Sequence, residues 1–250
     1  MLWDALGSSK IFQEKNMKNI TYLLVDIGVL ILPLIFSFHP KLQFYKKWKS
    51  TTLSILIVGS IFITWDILST QIGLWGFNSD YLCGVYFFNL PLEEILFFIC
   101  IPYACLFTYH CLKMIWPIKN HESTQWITYK LCISLFVSGL IFYKHLYTSV
   151  TFISLALTLV FIQIKYKPIW LSRLYTSLII LIIPFLMVNG ILTGTGLESS
   201  IIWHNENEII GLRILTIPIE DFFYGFLLIL LNVFLLELFD KKSAKTIKTN

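Results

Sequence analysis

The sequence predicts an all-α membrane protein in which seven transmembrane helices form two parallel three-helix repeats joined by a linker helix (3+1+3). Three observations predict it. Of 250 residues, 56% are hydrophobic and only 14% charged, at a mean hydropathy of +0.73, whereas a soluble domain is about a quarter charged. Apolar windows recur seven times along the chain, each close to the roughly 20 residues that cross hydrocarbon as a helix. The motif Pro91-Leu92-Glu93-Glu94 returns as Pro218-Ile219-Glu220-Asp221.

Taken in order, the windows are 20–38, 52–70, 90–111, 127–143, 147–164, 171–192 and 213–238. Pro33 and Pro184 fall inside the first and sixth, as kinks whose freed backbone groups neighbouring helices can satisfy. A tight turn near Lys144-His145 separates the fourth from the fifth. Residues 1–19 form a polar, mixed extension without a signal-peptide pattern, and Met17 is a candidate native start. The first repeat is then 20–111, the linker helix 127–143, the second repeat 147–238 and the basic tail 239–250. No extramembrane stretch is large enough to fold alone, so this is one domain.

Charge sets the orientation. Lys41, Lys46, Lys47 and Lys49 follow the first window; Lys113, Lys119 and Lys130 flank the third and fourth. Lys165, Lys167 and Arg173 lie between the fifth and sixth, and Lys241, Lys242, Lys245 and Lys248 end the chain. All fall on one side, leaving Lys10, Lys15, Lys18, Lys144 and Arg213 opposite. The positive-inside rule then puts the amino terminus outside and the carboxyl terminus in the cytoplasm. The same topology accounts for the net charge of +4, which gives no reason to expect nucleic acid.

The repeat is also legible outside the acid motifs. Asp66–Leu74 aligns with Asn189–Leu197, and Gly84 with Gly211, once a short insertion is allowed in the second loop. Three helices plus one restore the orientation of the second unit, so the repeats are parallel. Both acid pairs then begin helices that run inward, at one depth. Acids inside hydrocarbon are costly, by roughly 2.5 to 3.5 kcal/mol each, and are rarely there for packing. Neighbouring residues differ by about 100° around a helix, so at most one acid of each pair faces the centre of the bundle. Capping by interfacial carboxylates is the plain alternative, and duplication at matched positions argues against it.

Aromatics cluster beside the acids: Trp75, Phe77, Tyr81, Phe97, Phe98, Trp203, Phe222, Phe223 and Tyr224. Their π faces could stabilise a cation, although any one of them alone is more often core or interface packing. Asp66 is a possible supporting acid with the neutral Asn189 as its counterpart, and Asp26 stands alone in the first window. The five cysteines have no metal-ligand spacing and read as small buried apolar groups. His204 has no second histidine at ligand spacing, and Glu198, Glu206 and Glu208 read as an outer loop with Arg213 as a pairing partner. No metal site is expected.

Several functions are excluded or disfavoured. A retinal pigment needs a lysine in the last span, and 213–238 has none. A membrane prenyltransferase needs spaced aspartates with cations to hold Mg²⁺ and diphosphate. A flavin enzyme needs a dinucleotide fingerprint after a strand. A proton-coupled carrier of 3+1+3 form would want polar side chains at midplane, where this chain has Leu, Ile and Phe.

On Pro91-Leu-Glu-Glu with Phe97-Phe98, on Pro218-Ile-Glu-Asp, on Trp75-Gly76-Phe77-Asn78 and on Phe44-Tyr45-Lys46-Lys47-Trp48-Lys49, the chain resembles the integral-membrane, non-flavin lycopene cyclases in their fused two-half form. That resemblance implies acid-catalysed closure of the ends of lycopene to β rings, β-carotene forming via γ-carotene, without redox change or cofactor. It implies Glu93, Glu94, Glu220 and Asp221 as acid and base. Pro91, Trp75, Phe77, Asn78, Phe97, Phe98, Pro218, Phe222, Phe223 and Tyr224 would surround the substrate, with Asp66 and Asn189 in support. The implied setting is a prokaryotic plasma membrane, with the bilayer and other carotenoid-pathway enzymes as neighbours. A membrane carotenoid hydratase, which adds water after the same protonation, is the alternative.

Overall fold

Residues 18–115 and 122–248 are described in a computed structural model. Among them, long runs of Leu, Ile, Val and Phe form seven α-helices: α1 Thr21–Phe36, α2 Trp48–Gln71, α3 Leu92–Ile115, α4 Glu122–Ile141, α5 Leu146–Tyr166, α6 Leu171–Leu192 and α7 Ile219–Lys248. Each predicted window holds one helix. Most of the extension 1–19, Lys119, and the last two residues of the tail lie outside the described residues, and α7 continues into the tail through Lys248.

Five helices are long and apolar enough to cross a membrane: α2 with the 3-10 turn before it, α3, α5, α6 and α7. The expectation of seven spans is therefore met by five. Helix α1 has only 16 residues, about 24 Å of rise, because the chain leaves it at Ser37 for His39-Pro40, and a residue before proline avoids helical backbone. Helix α4 has the length but includes Glu122 and Lys130 and a run of Ser, Thr and Gln.

Helices three and seven begin later than the windows 90–111 and 213–238 suggest, because each is preceded by a two-residue ladder. Strands β2 Tyr86–Phe87 and β3 Leu90–Pro91 pair before α3; β5 Arg213–Ile214 and β6 Ile217–Pro218 pair before α7. Each hairpin seats the first amide of its helix, Leu92 N–H on Val85 O at 2.8 Å and Ile219 N–H on Leu212 O at 2.9 Å. That satisfies a donor which a helix start leaves open. Phe88 and Leu215 occupy the same turn position at φ 56° and 58°, a left-handed conformation that costs a side-chain-bearing residue about 1 kcal/mol. Leu215 is 68% exposed, so Leu215→Gly is expected to raise the thermal unfolding midpoint in detergent; a lower midpoint would show that the leucine packs on something essential.

A third ladder joins the halves. β1 Trp75–Phe77 runs antiparallel to β4 Ile202–His204, with Gly76 opposite Trp203. Asn78 N–H donates to Ile201 O and Asn205 N–H to Leu74 O, both at 2.8 Å, and Asn78 and Asn205 cap matching 3-10 turns. The two loops are thus related by an approximate twofold axis through the Gly76–Trp203 pair. Trp203 lies so close to Gly76 that any Cβ there would overlap its ring. By these bonds Leu74 corresponds to Ile201 rather than to Leu197, which moves the insertion upstream of Ile201.

Around the axis α1 packs on α3 as α5 packs on α7, while α2 lies along both α3 and α7. Helix α4 rests mainly on α5. Helix α6 meets α3 but touches α7 sparsely. That one loose seam positions the site.

Candidate active site

A cavity of about 350 Å³ opens between α3, α6 and α7, roofed by the β1–β4 ladder. Its walls are largely apolar, with Ile101, Leu178, Phe185 and Phe222 among them; its polar groups gather under the roof. This is the composition of a ligand pocket, apolar with a few convergent polar groups.

Glu94 and Asp221, the second acid of each motif, both line the cavity. Each is in the first turn of its helix and almost wholly buried, at 5% and 9% exposure. Tyr22, at the start of α1, donates its hydroxyl to Glu94 Oε2 at 2.7 Å; Tyr147, at the start of α5, donates to Asp221 Oδ1 at 2.7 Å. Asp66 in α2 lies beside Glu94 and accepts from the Tyr224 hydroxyl at 2.9 Å. Asp66 and Glu94 thus bring two carboxyl groups together inside one cavity.

The second acid has a different partner. His204 Nε2 lies 3.4 Å from Asp221 Oδ1, and its ring stacks on Tyr147 with centroids 5.8 Å apart and planes 16° apart. The imidazole is buried, and its Nδ1 has no hydrogen-bond partner among the described residues. Glu94 is close enough to His204 and Asp221 for electrostatic interaction. Two carboxyl groups, Asp66 and Glu94, thus share one small, largely apolar space with Asp221 and His204.

The first acid of each motif turns away from it. Glu93 Oε1 accepts the Cys83 N–H at 2.6 Å. Glu220 Oε1 accepts the Ile210 N–H at 2.8 Å and the Thr148 hydroxyl at 2.6 Å. Both side chains are fully buried and tie the preceding loop to the helix start. The 100° step between neighbours produces this division of each pair.

Other expected residues divide as well. Trp75, Phe97, Phe222, Phe223, Tyr224 and Asn189 line the cavity. Trp75 lies 5.0 Å from Tyr147 and 6.3 Å from Tyr224, centroid to centroid. Phe77 packs between the Tyr22, Tyr81 and Leu82 cluster and that of Trp75 and Tyr147, and Phe98 fills the seam between α2 and α3 against Phe62. Asn78 bonds Ser199 and caps its turn; Pro91 and Pro218 are strand residues of the hairpins. Asp26 is buried one turn below Tyr22, and neither oxygen has a partner among the described residues. The loop acids pair as surface groups: Glu206 with Arg213 at 2.6 Å and Glu198 with Lys18 at 2.9 Å, the lysine holding the Glu198 carboxyl below its usual range.

Tyr22, Tyr147 and His204 were not singled out for the acid site by sequence reasoning. Carrying the repeat back to the first helix of each unit would have matched the two tyrosines. His204 had no such signal, because Phe77 occupies its place in the first repeat.

The lycopene cyclase family model matches the chain twice, over residues 19–112 and again over residues 144–239. Neither the curated proteins nor the solved structures contain a match.

Proposed function

We propose that this chain, which belongs to the lycopene cyclase family, closes the ends of lycopene to β rings by acid–base chemistry in the cavity beneath the β1–β4 ladder. The observation that carries the reading is the convergence of Glu94 and Asp66 with Asp221 and His204 on one largely apolar cavity. General acid–base catalysis needs donor and acceptor within reach of one bound substrate. Two carboxyl groups in different surroundings can divide those roles.

The arrangement supports the following chemistry. The Asp66–Glu94 pair gives its proton to C2 of the terminal C1=C2 bond, leaving a cation at C1. The C5=C6 electrons attack C1, the C1–C6 bond closes the ring, and the charge moves to C5. Asp221, oriented by Tyr147 and beside His204, removes the proton from C6, and C5=C6 re-forms within the ring. One proton enters and one leaves, with no change of oxidation state. Trp75 and Tyr224 supply π faces toward the migrating charge. The apolar walls of α6 and α7 keep out the water that would trap the cation.

In the same reading the molecule is a single membrane domain of 3+1+3 design, with α4 as linker. The loop side bearing the ladders and acids faces outward and the lysine-rich ends face the cytoplasm of a prokaryotic plasma membrane.

The test is pigment chromatography of lycopene-accumulating cells that express the chain. Cyclic carotenes are expected. Hydroxylated acyclic product would overturn ring closure in favour of water addition, and unchanged lycopene with the folded protein present would remove the acid–base reading.

A further inference from the structure

The pseudo-twofold arrangement would be expected to give two equivalent cavities, one in each α2/α6-type seam. The seams differ. Helices α2 and α6 correspond residue for residue along their packed faces: Thr51 with Leu174 and Ser54 with Ser177, all four buried. Continuing along that face, Ile55, Val58 and Phe62 on α2 are sealed at 5%, 1% and 4% exposure. Their counterparts Leu178, Leu181 and Phe185 on α6 line the cavity.

The cause lies on the opposing helix. Phe98 on α3 fills the first seam at 1% exposure, its ring 5.9 Å from Phe62 and its backbone close to Gly59 on α2. The position equivalent to Phe98 on α7 is Gly225, which lines the cavity beside Phe185. Removing a phenylalanine ring from a packed seam leaves a void that neighbours only partly close. The exchange of Phe98 for Gly225 thus blocks one seam and opens the other.

From this asymmetry we infer that the duplicated chain has a single reactive chamber, with Gly225 determining it, and that it processes one polyene end per binding event. This rests on the proposed cyclase reading and deepens it. A cavity of about 350 Å³ holds an end group, while an extended forty-carbon polyene approaches the roughly 30 Å hydrocarbon thickness. The rest of the molecule must pass out through the seam between α6 and α7, where Ile179, Ile182 and Ile183 are exposed toward lipid. A substrate with two reactive ends is therefore released singly cyclised and must rebind reversed.

The test is a time course with purified protein in liposomes, lycopene in excess. Free singly cyclised product is expected to accumulate first, with doubly cyclised product appearing after a lag. Gly225→Phe, which restores the other seam's residue, is expected to reduce turnover at least a hundredfold while the thermal midpoint is retained. A new Cβ at Gly225 meets Phe185 at 3.3 Å, so Ile182→Trp, which fills the chamber from the half-exposed α6 wall, is measured beside it with the same expectation and decides if the first variant misfolds. Doubly cyclised product forming from the first time point without free intermediate would overturn the inference while leaving the cyclase reading intact. So would folded variants that turn over at the parent rate. Absence of any cyclic product from the folded parent would remove the cyclase reading and this inference with it.

Discussion

Glu94→Gln is expected to lower the rate of ring closure by about 10² to 10⁴-fold, the usual contribution of a positioned general acid. The amide is nearly isosteric and still accepts from Tyr22, so the bundle should stay folded. It cannot, however, deliver the proton that the proposed reaction needs at this position. Asp221→Asn should cost a comparable factor by removing the acceptor that Tyr147 orients at 2.7 Å. Glu93→Gln is the informative contrast. Its Oε1 only accepts the Cys83 amide, which a glutamine oxygen can also do, so activity should stay within about tenfold of the parent, less than one catalytic contribution. Initial rates at matched protein amounts decide it. Equal losses at Glu93 and Glu94 would mean that the paired acids act as a unit and that the cavity-facing assignment is wrong.

The second large effect is structural. Glu220→Ala removes the acceptor for the buried Thr148 hydroxyl and the part-buried Ile210 N–H, and a donor stranded away from water costs about 1 to 3 kcal/mol. A loss of about 2 to 5 kcal/mol is expected, large against the 5 to 15 kcal/mol by which native domains are stable. The loop before α7 would separate from the start of that helix, taking Asp221 out of register with His204. Glu220→Gln, which keeps an acceptor oxygen, should lose much less. Thermal unfolding in detergent reads both. An alanine variant that melts with the parent would show that the loop is held by the β1–β4 ladder alone.

The sequence by itself determined much of this protein. Apolar windows near membrane length located all seven helices, because the period and length of such runs leave the backbone little alternative to internal hydrogen bonding. The repeated Pro-x-acid-acid motif located both helix starts and both acid pairs, and the repeat and the family were legible in the same residues. Helix ends were less legible, since the two-residue ladders before α3 and α7 depend on pairing between short segments with no period of their own. Only the tertiary structure decided which acid of each pair faces the cavity, because that depends on the rotation of α3 and α7 against their neighbours. It also brought Tyr22, Tyr147 and His204 to those acids from elements far apart in the chain. Finally, it distinguished the two halves. A phenylalanine and a glycine at equivalent positions look interchangeable in a membrane helix, and only the packing of α2 against Phe98 and of α6 beside Gly225 makes one seam solid and the other a chamber.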